Sequence, residues 1–365
     1  MDQTDINSDI LTASLLRWYD QMGRNLPWRV KGKPHPTPYH VWLSEIMLQQ
    51  TTVVTVKPYF KNFLKKWPTI EDFAGASLDD ILHAWQGLGY YARARNMYKC
   101  AQQIVASYDG KFPRTSALLS KLPGIGPYTA AAIATIAFEE KITPVDGNVI
   151  RVLSRLFAIQ EPLPSGMKRI FSLAQTLTPS YRRGDFAQAL MDLGATICTP
   201  RKPQCFLCPW LKSCQGFQQG IAEALPEKKP KAVKPTRYAV AFVISHADGS
   251  ILLGRRQEKG LLGGMIAVPT TPWRNEDYPL EEALTSCPLR CMWKEKIKEV
   301  THVFTHFNFR VRVCYGSVLE DSPRLPPDSF WVKPEDFPKM ALPTLMKKIL
   351  YPSKNTQNHR SAQKP

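Results

Sequence analysis

The chain has 365 residues, a hydrophobic fraction of 44% and a formal net charge of +17. That length suits two or three domains with a sizeable core, and the positive charge favours a polyanionic partner, nucleic acid before an anionic membrane surface. No apolar run of about 18 residues is present to span a membrane, and the polar, acidic start Met1-Asp2-Gln3-Thr4-Asp5 lacks the layout of a signal peptide, so an intracellular protein is expected.

Residues 9 to about 222 read as helical. Leu11, Leu15, Leu16 and Tyr19 recur at helical spacing, as do Val41, Ile46 and Leu48 with their neighbours. The segment Trp42-Leu43-Ser44-Glu45-Ile46-Met47-Leu48-Gln49-Gln50-Thr51 sets one glutamate among apolar residues. If Glu45 is buried there, its carboxyl stays protonated near neutral pH, as a general acid requires; on an ordinary amphipathic helix it is a solvated surface group. Gln86 to Arg95 then presents Leu88 and Tyr90 on a glycine-flexed loop, followed by arginines suited to phosphates.

Leu122-Pro123-Gly124-Ile125-Gly126-Pro127-Tyr128-Thr129-Ala130 separates two helical segments within about 118–138. Gly124 and Gly126 permit a tight turn, and the amides that follow open a helix, where an anion is favoured. The second segment, Ala130 to Phe138, is Ala- and Ile-rich and expected to be buried. Asp146 precedes the apolar helix of Val149, Ile150, Val152 and Leu153, at the place of an N-cap.

Four of the eight cysteines, Cys198, Cys205, Cys208 and Cys214, are spaced C-x6-C-x2-C-x5-C. Thiolates this close call for a common ligand, and four sulfurs suit either tetrahedral zinc or an iron–sulfur cluster. Past Leu225 a Pro- and Lys-rich stretch reads as an extended basic linker over 225–237. The pattern then turns strand-like. Tyr238 to Ile244 is short and β-branched, Asp248-Gly249 marks a hairpin, and Phe309 to Tyr315 alternates with period two. A second, α+β domain is expected over 238–350 and a disordered tail over 351–365.

The cysteine spacing closing a helical domain resembles the endonuclease III and MutY branch of the DNA glycosylases. L-P-G-I-G-x-x-T-A resembles that superfamily's helix-hairpin-helix, with Val145-Asp146-Gly147-Asn148 where its aspartate follows, and W-L-S-E-I-M-L-Q-Q-T resembles the adenine-glycosylase signature. The resemblance runs over roughly residues 10 to 350. It implies an all-α helix-hairpin-helix domain (1–224) that holds a [4Fe-4S] cluster at 198–214, followed by a Nudix-like α+β domain. It also implies a monofunctional glycosylase of base excision repair, a hydrolase that removes adenine mispaired with 8-oxoguanine or guanine.

Under that resemblance Glu45 protonates N7 of adenine and takes part in activating water. Asp146 stabilises the sugar cation, with Asn148 in support. Tyr128 stands where the lyase branch carries a Schiff-base lysine. Arg24, Leu26, Trp28, Gln188 and Asp192 match the adenine pocket, Gln49 and Tyr90 the residues that intercalate, and Leu88 a wedge. Phe304-Thr305-His306 matches an F-S-H motif that recognises 8-oxoguanine, with Thr in place of Ser. An alanine, Ala131 or Ala132, stands where a glycine is common. The Mg²⁺-binding acidic helix of Nudix hydrolases is absent, so the second domain is read as a binding domain rather than a pyrophosphatase. The implied partner is double-stranded DNA with A:8-oxoG or A:G mispairs, met by a monomer in a bacterial cytoplasm at the nucleoid. The competing readings are a pyrimidine-lesion glycosylase with lyase activity and a catalytically silent damage binder.

Overall fold

A computed structural model describes residues 8–30, 35–227, 233–257, 260–320 and 323–351. The expected tail past Tyr351 and the Lys-rich centre of the expected linker lie outside the described residues. The chain divides into two compact units, Met1–Leu78 with Arg93–Lys231, and Asp79–Ala92 with Ala232–Pro365. No described helix is long and apolar enough to cross a membrane.

The first unit is built on helices α1 (Ser8–Met22), α2 (Pro38–Leu48), α3 (Val53–Lys66), α4 (Ile70–Gly75) and α5, which starts at Leu78 and ends at Ala84 in the second unit. It continues with α6 (Ala92–Tyr108), α7 (Ser116–Leu119), α8 (Pro127–Phe138), α9 (Gly147–Leu156), α10 (Met167–Thr176), α11 (Arg183–Thr196) and α12 (Gln215–Gln218). It is not purely α-helical. The cysteine segment is carried by 3-10 turns at Cys205–Leu207 and Leu211–Ser213, and the Leu163 N–H donates to the Glu227 carbonyl.

Leu11, Leu15 and Tyr19 of α1 pack with Val149 and Leu153 of α9 and Leu190 of α11 in one core. Helix α8 is buried along its length from Thr129 to Ala137, as its Ala- and Ile-rich sequence requires, and it contacts α2 and α11. Small residues set these approaches. A Cβ on Gly194 of α11 would stand 2.6 Å from the Asn148 Cβ and 3.0 Å from its Cα.

In the turn before α8, Gly124 sits at φ +74 against Asn96, so the turn itself demands glycine. Gly126 is different. It is the N-cap of α8 at φ −80, and a Cβ there would meet nothing within 4 Å. The fold does not need a glycine at 126; its bareness leaves the helix start open to another molecule's backbone.

The second unit is a six-stranded sheet of β1 (Thr236–Ser245), β2 (Ile251–Arg255), β3 (Ile266–Ala267), β4 (Cys291–Val303), β5 (Asn308–Val318) and β6 (Ser329–Val332), in the order β3-β2-β1-β5-β4 with β6 paired to β2. β1 and β5 run parallel and the other pairs antiparallel. Successive residues of β1 serve opposite faces. Ala239, Ala241 and Val243 pack under α14 (Thr344–Leu350), and Val240, Phe242 and Ile244 pack under α13 (Leu280–Thr285). The first strand starts at Thr236, inside the stretch read as linker, because Thr236 and Arg237 already pair with Asn308 and Phe309.

Gly194→Ala is expected to force α11 away from α9 and to cost about 1–3 kcal/mol, read as a Tm lower by several degrees. An unchanged Tm would mean that the close approach has no role in stability.

Candidate active site

Glu45 lies three residues from the end of α2, a helix buried along almost its whole length. The Arg93 guanidinium ties down that end, donating to the Ile46 and Met47 carbonyls at 2.8 and 3.0 Å. Arg93 and Arg95 are therefore buried structural groups, a correction to the expectation that this arginine run faces phosphates: the open carbonyls at the helix end claim Arg93 first.

Glu45 is 8% exposed and lines a cleft of about 580 Å³ together with Tyr128, Asp146 and Asn148. Burial pushes its carboxyl up from the ordinary 4.5 to about 7. The Asp146 charge adds to the rise, while the Tyr128 hydrogen bond and the Arg29 charge restrain it. The Tyr128 hydroxyl is itself driven well above its ordinary value, first by burial and then by the two carboxylates. It stays a neutral hydrogen-bond donor.

Asp146 is the N-cap of α9. One carboxylate oxygen accepts from the Asn148 and Val149 amides at 2.9 and 2.8 Å, and the other accepts from Asn148 Nδ2 at 2.8 Å. The cap and the cleft position are thus two roles of one residue. The Asn148 amide is oriented from the far side, since its Oδ1 accepts from the Arg151 guanidinium at 2.8 Å. Arg151 also donates to the Gly194 carbonyl at 2.6 Å and to the Cys198 carbonyl at 2.7 Å. Nothing in the sequence pattern marked Arg151 or the Arg29 guanidinium.

Arg24, Leu26, Trp28, Gln49 and Gln188 also line the cleft. Asp192 does not; it is fully buried behind the wall. Arg24 donates to it from its backbone N–H at 2.8 Å and its Nε at 2.7 Å, and Arg29 from its guanidinium at 2.6 Å. Burial alone would raise the Asp192 carboxyl, but Arg29 and Arg24 hold it below the usual carboxylate range. Asp192 anchors the two arginines and does not face a ligand.

The four clustered cysteines line a separate cavity of about 30 Å³ with Arg155, Ile197 and Phe217. Among the described residues no group of three or more His, Cys, Asp or Glu forms a ready site for a metal ion; the sulfurs stand around a space. Burial pushes the Cys208 thiol up to about 12 and raises Cys205 and Cys214, with neighbouring thiolates adding to each rise. Four thiolates brought this close need a cationic centre, and the donor set fits tetrahedral zinc or an iron–sulfur cluster alike. The fully buried Arg155 donates to Cys198 Sγ at 3.4 Å and to the Thr199 and Leu225 carbonyls at 2.7 and 3.0 Å.

In the second unit Tyr90 holds a left-handed backbone at φ +47, between Gly87 and Gly89 before it and α6 after it, and its hydroxyl contacts the Thr305 hydroxyl. Leu88 is buried at 5% exposure. Phe304, Thr305 and His306 sit on the tip joining β4 to β5. Phe304 stacks near Trp273 and Phe307 there, and Thr305 and His306 are exposed. Glu282, one of the two acidic residues of α13, pairs with Arg274 at 2.6 Å.

Residues 43–175 match the family described as HhH-GPD superfamily base excision DNA repair protein, and residues 240–351 match the NUDIX domain. The adenine DNA glycosylase of Mus musculus is 36% identical over 394 residues, covering 92% of this chain and 76% of the mouse protein. That of Buchnera aphidicola subsp. Schizaphis graminum is 36% identical over 308 residues, covering 83% of this chain and 86% of its own. A solved thermostable thymine-DNA glycosylase superposes with a TM-score of 0.53 at 31% identity, covering 60% of this chain and all of its own.

The raised carboxyl has a consequence for stability. Its folded pKa of about 7 lies above the ordinary 4.5. As pH rises through that window the unfolded chain ionises this group and the folded chain does not, so wild-type stability falls and then levels off. Glu45→Gln escapes the loss. Its thermal melt is expected to match wild type near about pH 4 and to lie higher at about pH 8; a variant no more stable than wild type at the higher pH contradicts the burial argument.

Proposed function

Starting from the fact that the chain belongs to the adenine DNA glycosylase family and removes adenine from DNA in base excision repair, we propose that it acts on adenine opposite 8-oxoguanine or guanine, with Glu45 and Asp146 as the catalytic carboxyls. The observation that carries this reading is their meeting in one cleft, with Glu45 raised to about 7 by burial.

Leaving adenine is a poor anion, and the sugar gains positive charge as the bond stretches. Two carboxyls in unlike environments answer both problems. The flipped base enters beside Trp28, Leu26 and Gln188. Glu45 gives its proton to N7 of the base, so the N9–C1′ bond breaks without a free purine anion. Asp146 faces the cationic sugar, fixed by three N–H donors. Water adds to C1′, losing its proton to the Glu45 carboxylate, and the products are adenine and an abasic site. Tyr128 offers no amine to form a Schiff base, so the strand is left intact.

The rest of the reading concerns grip. Gly124 and Gly126 present the start of α8 to a DNA phosphate. Gln49 and Tyr90 fill the gap left by the base, with aromatic stacking contributing about 1–3 kcal/mol and Leu88 supporting the wedge. Phe304, Thr305 and His306 read 8-oxoguanine from the NUDIX-type domain over 238–350, joined to the helical domain over 1–224. Cys198, Cys205, Cys208 and Cys214 would hold a [4Fe-4S] cluster, whose part would be structural or DNA-positioning rather than hydrolytic. The protein acts as a monomer in a cytoplasmic, nucleoid-associated setting.

Single-turnover release of adenine from duplexes containing A:8-oxoG, A:G and A:T tests the reading. Wild type is expected to be fast, slower and negligible in that order, with Glu45→Gln and Asp146→Asn near-inactive and no adduct trapped by borohydride. Equal rates on the three duplexes would remove the mismatch claim, and an active Glu45→Gln would remove the acid.

A further inference from the structure

The tip that joins β4 to β5 is built to present two residues. Val303 and Asn308 form the last pair of the ladder, and the Phe304 N–H donates to the Phe307 carbonyl at 2.9 Å, so Thr305 and His306 make the turn and stand exposed. Phe304 and Phe307 flank them with ring centroids 4.8 Å apart. Phe307 is buried with Phe309 in the core of the sheet, but Phe304 is only half-buried. A hairpin is marginal by itself, so this flank of the turn depends on support from outside the two strands.

Trp273 supplies that support. Its ring centroid lies 4.2 Å from that of Phe309, 5.8 Å from Phe304 and 6.3 Å from Phe307, at or near the spacing that aromatic pairs favour. The backbone that carries it is fixed to β1. The Thr271 N–H donates to the Val240 carbonyl at 2.9 Å and the Val240 N–H to Thr271 Oγ1 at 3.0 Å, while Tyr238 and Arg274 exchange backbone hydrogen bonds at 2.8 and 3.2 Å. The indole Nε1 is buried and meets no acceptor among the described residues, so ring packing rather than a polar contact sets where the indole stands. Lys234 and Arg237 also reach the tip, at the Phe304 carbonyl and over the Phe307 ring, but both side chains are exposed.

We propose that Trp273 is a positioning residue for lesion recognition, acting through Phe304 to hold Thr305 and His306 where they meet 8-oxoguanine. The inference rests on the reading of that tip as the part that tells the lesion from guanine. The two bases differ by an oxygen on C8 and a hydrogen on N7. Hydrogen bonds to those atoms discriminate only while the hydroxyl and the ring stand at bonding distance and angle, and a displacement of about 1 Å is enough to lose them. The residue that fixes the tip therefore governs the preference between the two opposing bases, and leaves the removal of adenine itself to the cleft.

In the full chain, single-turnover rates on A:8-oxoG and A:G duplexes, each corrected for the active fraction, give a preference ratio. Trp273→Leu and Phe304→Leu are each expected to lower that ratio roughly five-fold or more, and the double variant to lower it no further, because both remove one contact. Trp273→Phe keeps a ring there and is expected to stay within about two-fold of wild type. A role in packing alone would lower the melting temperature and the active fraction and leave the ratio unchanged. An unchanged ratio in either Leu variant, effects that multiply in the double variant, or a Trp273→Phe ratio as low as that of Trp273→Leu overturns the proposal. Phe304→Leu, at the half-buried flank, decides it if Trp273→Leu does not fold. Thr305→Ala combined with His306→Ala separates the two readings. An unchanged ratio there removes the tip as the reader and the proposal with it, whereas a ratio that falls there but not in Trp273→Leu removes the role of Trp273 alone.

Discussion

The chemistry proposed for this protein depends on removing one carboxyl, that of Glu45, from water. A glutamate on the surface of a helix is ionised at neutral pH and has no proton to give. Set in α2 among Val41, Ile46 and Met47, against Tyr128 and within the field of Asp146, it keeps its proton to about 7. Much of the surrounding structure preserves that condition. Arg93 fixes the end of the helix that carries it. The close-packed α8 seals its far side. Asp192 pairs with Arg29 and Arg24, and the Arg29 charge only moderates the rise.

The second carboxyl is held by the opposite device. Asp146 is pinned by three donors at the start of α9, and the pin is backed by a chain of contacts through Asn148 and Arg151 to the Cys198 carbonyl. The cysteine loop is thereby part of the positioning of Asp146 as well as of the fold. Gly194, against which Asn148 rests, shows how closely α11 must approach for that chain to close. One carboxyl is defined by its burial and the other by the number of its donors, which would let two like groups take different roles in one cleft.

Much of this was legible in the sequence, and the reasons differ by residue. The helices, the Asp248-Gly249 hairpin and the period-two strands follow local rules, so they could be read directly. Glu45 could be singled out only through the resemblance to the adenine-glycosylase signature, since its apolar neighbours alone left a surface glutamate open, and Asp146 could be read as a cap because it is an acidic residue before an apolar helix. The arginines could not. Arg93 and Arg95 look like phosphate contacts in sequence, yet they are buried, with Arg93 capping α2; Arg29, Arg151 and Arg155 gave no signal at all. A guanidinium takes its role from partners distant in sequence, as Arg29 does with Asp192 and Arg155 with the carbonyls of the cysteine loop. Asp192 was misread for the same reason, its polar partners being invisible in its own helix. The start of β1 was missed because Thr236 and Arg237 become strand only by pairing with Asn308 and Phe309.

The most direct test of the account is the titration of the Glu45 carboxyl itself. In protein labelled with ¹³C at glutamate side-chain carboxyls, with Glu45 assigned by its loss in Glu45→Gln, the resonance should titrate near 7. A midpoint at the ordinary glutamate value would mean that the group is ionised when the base arrives, and no arrangement of the other residues would then make it the acid.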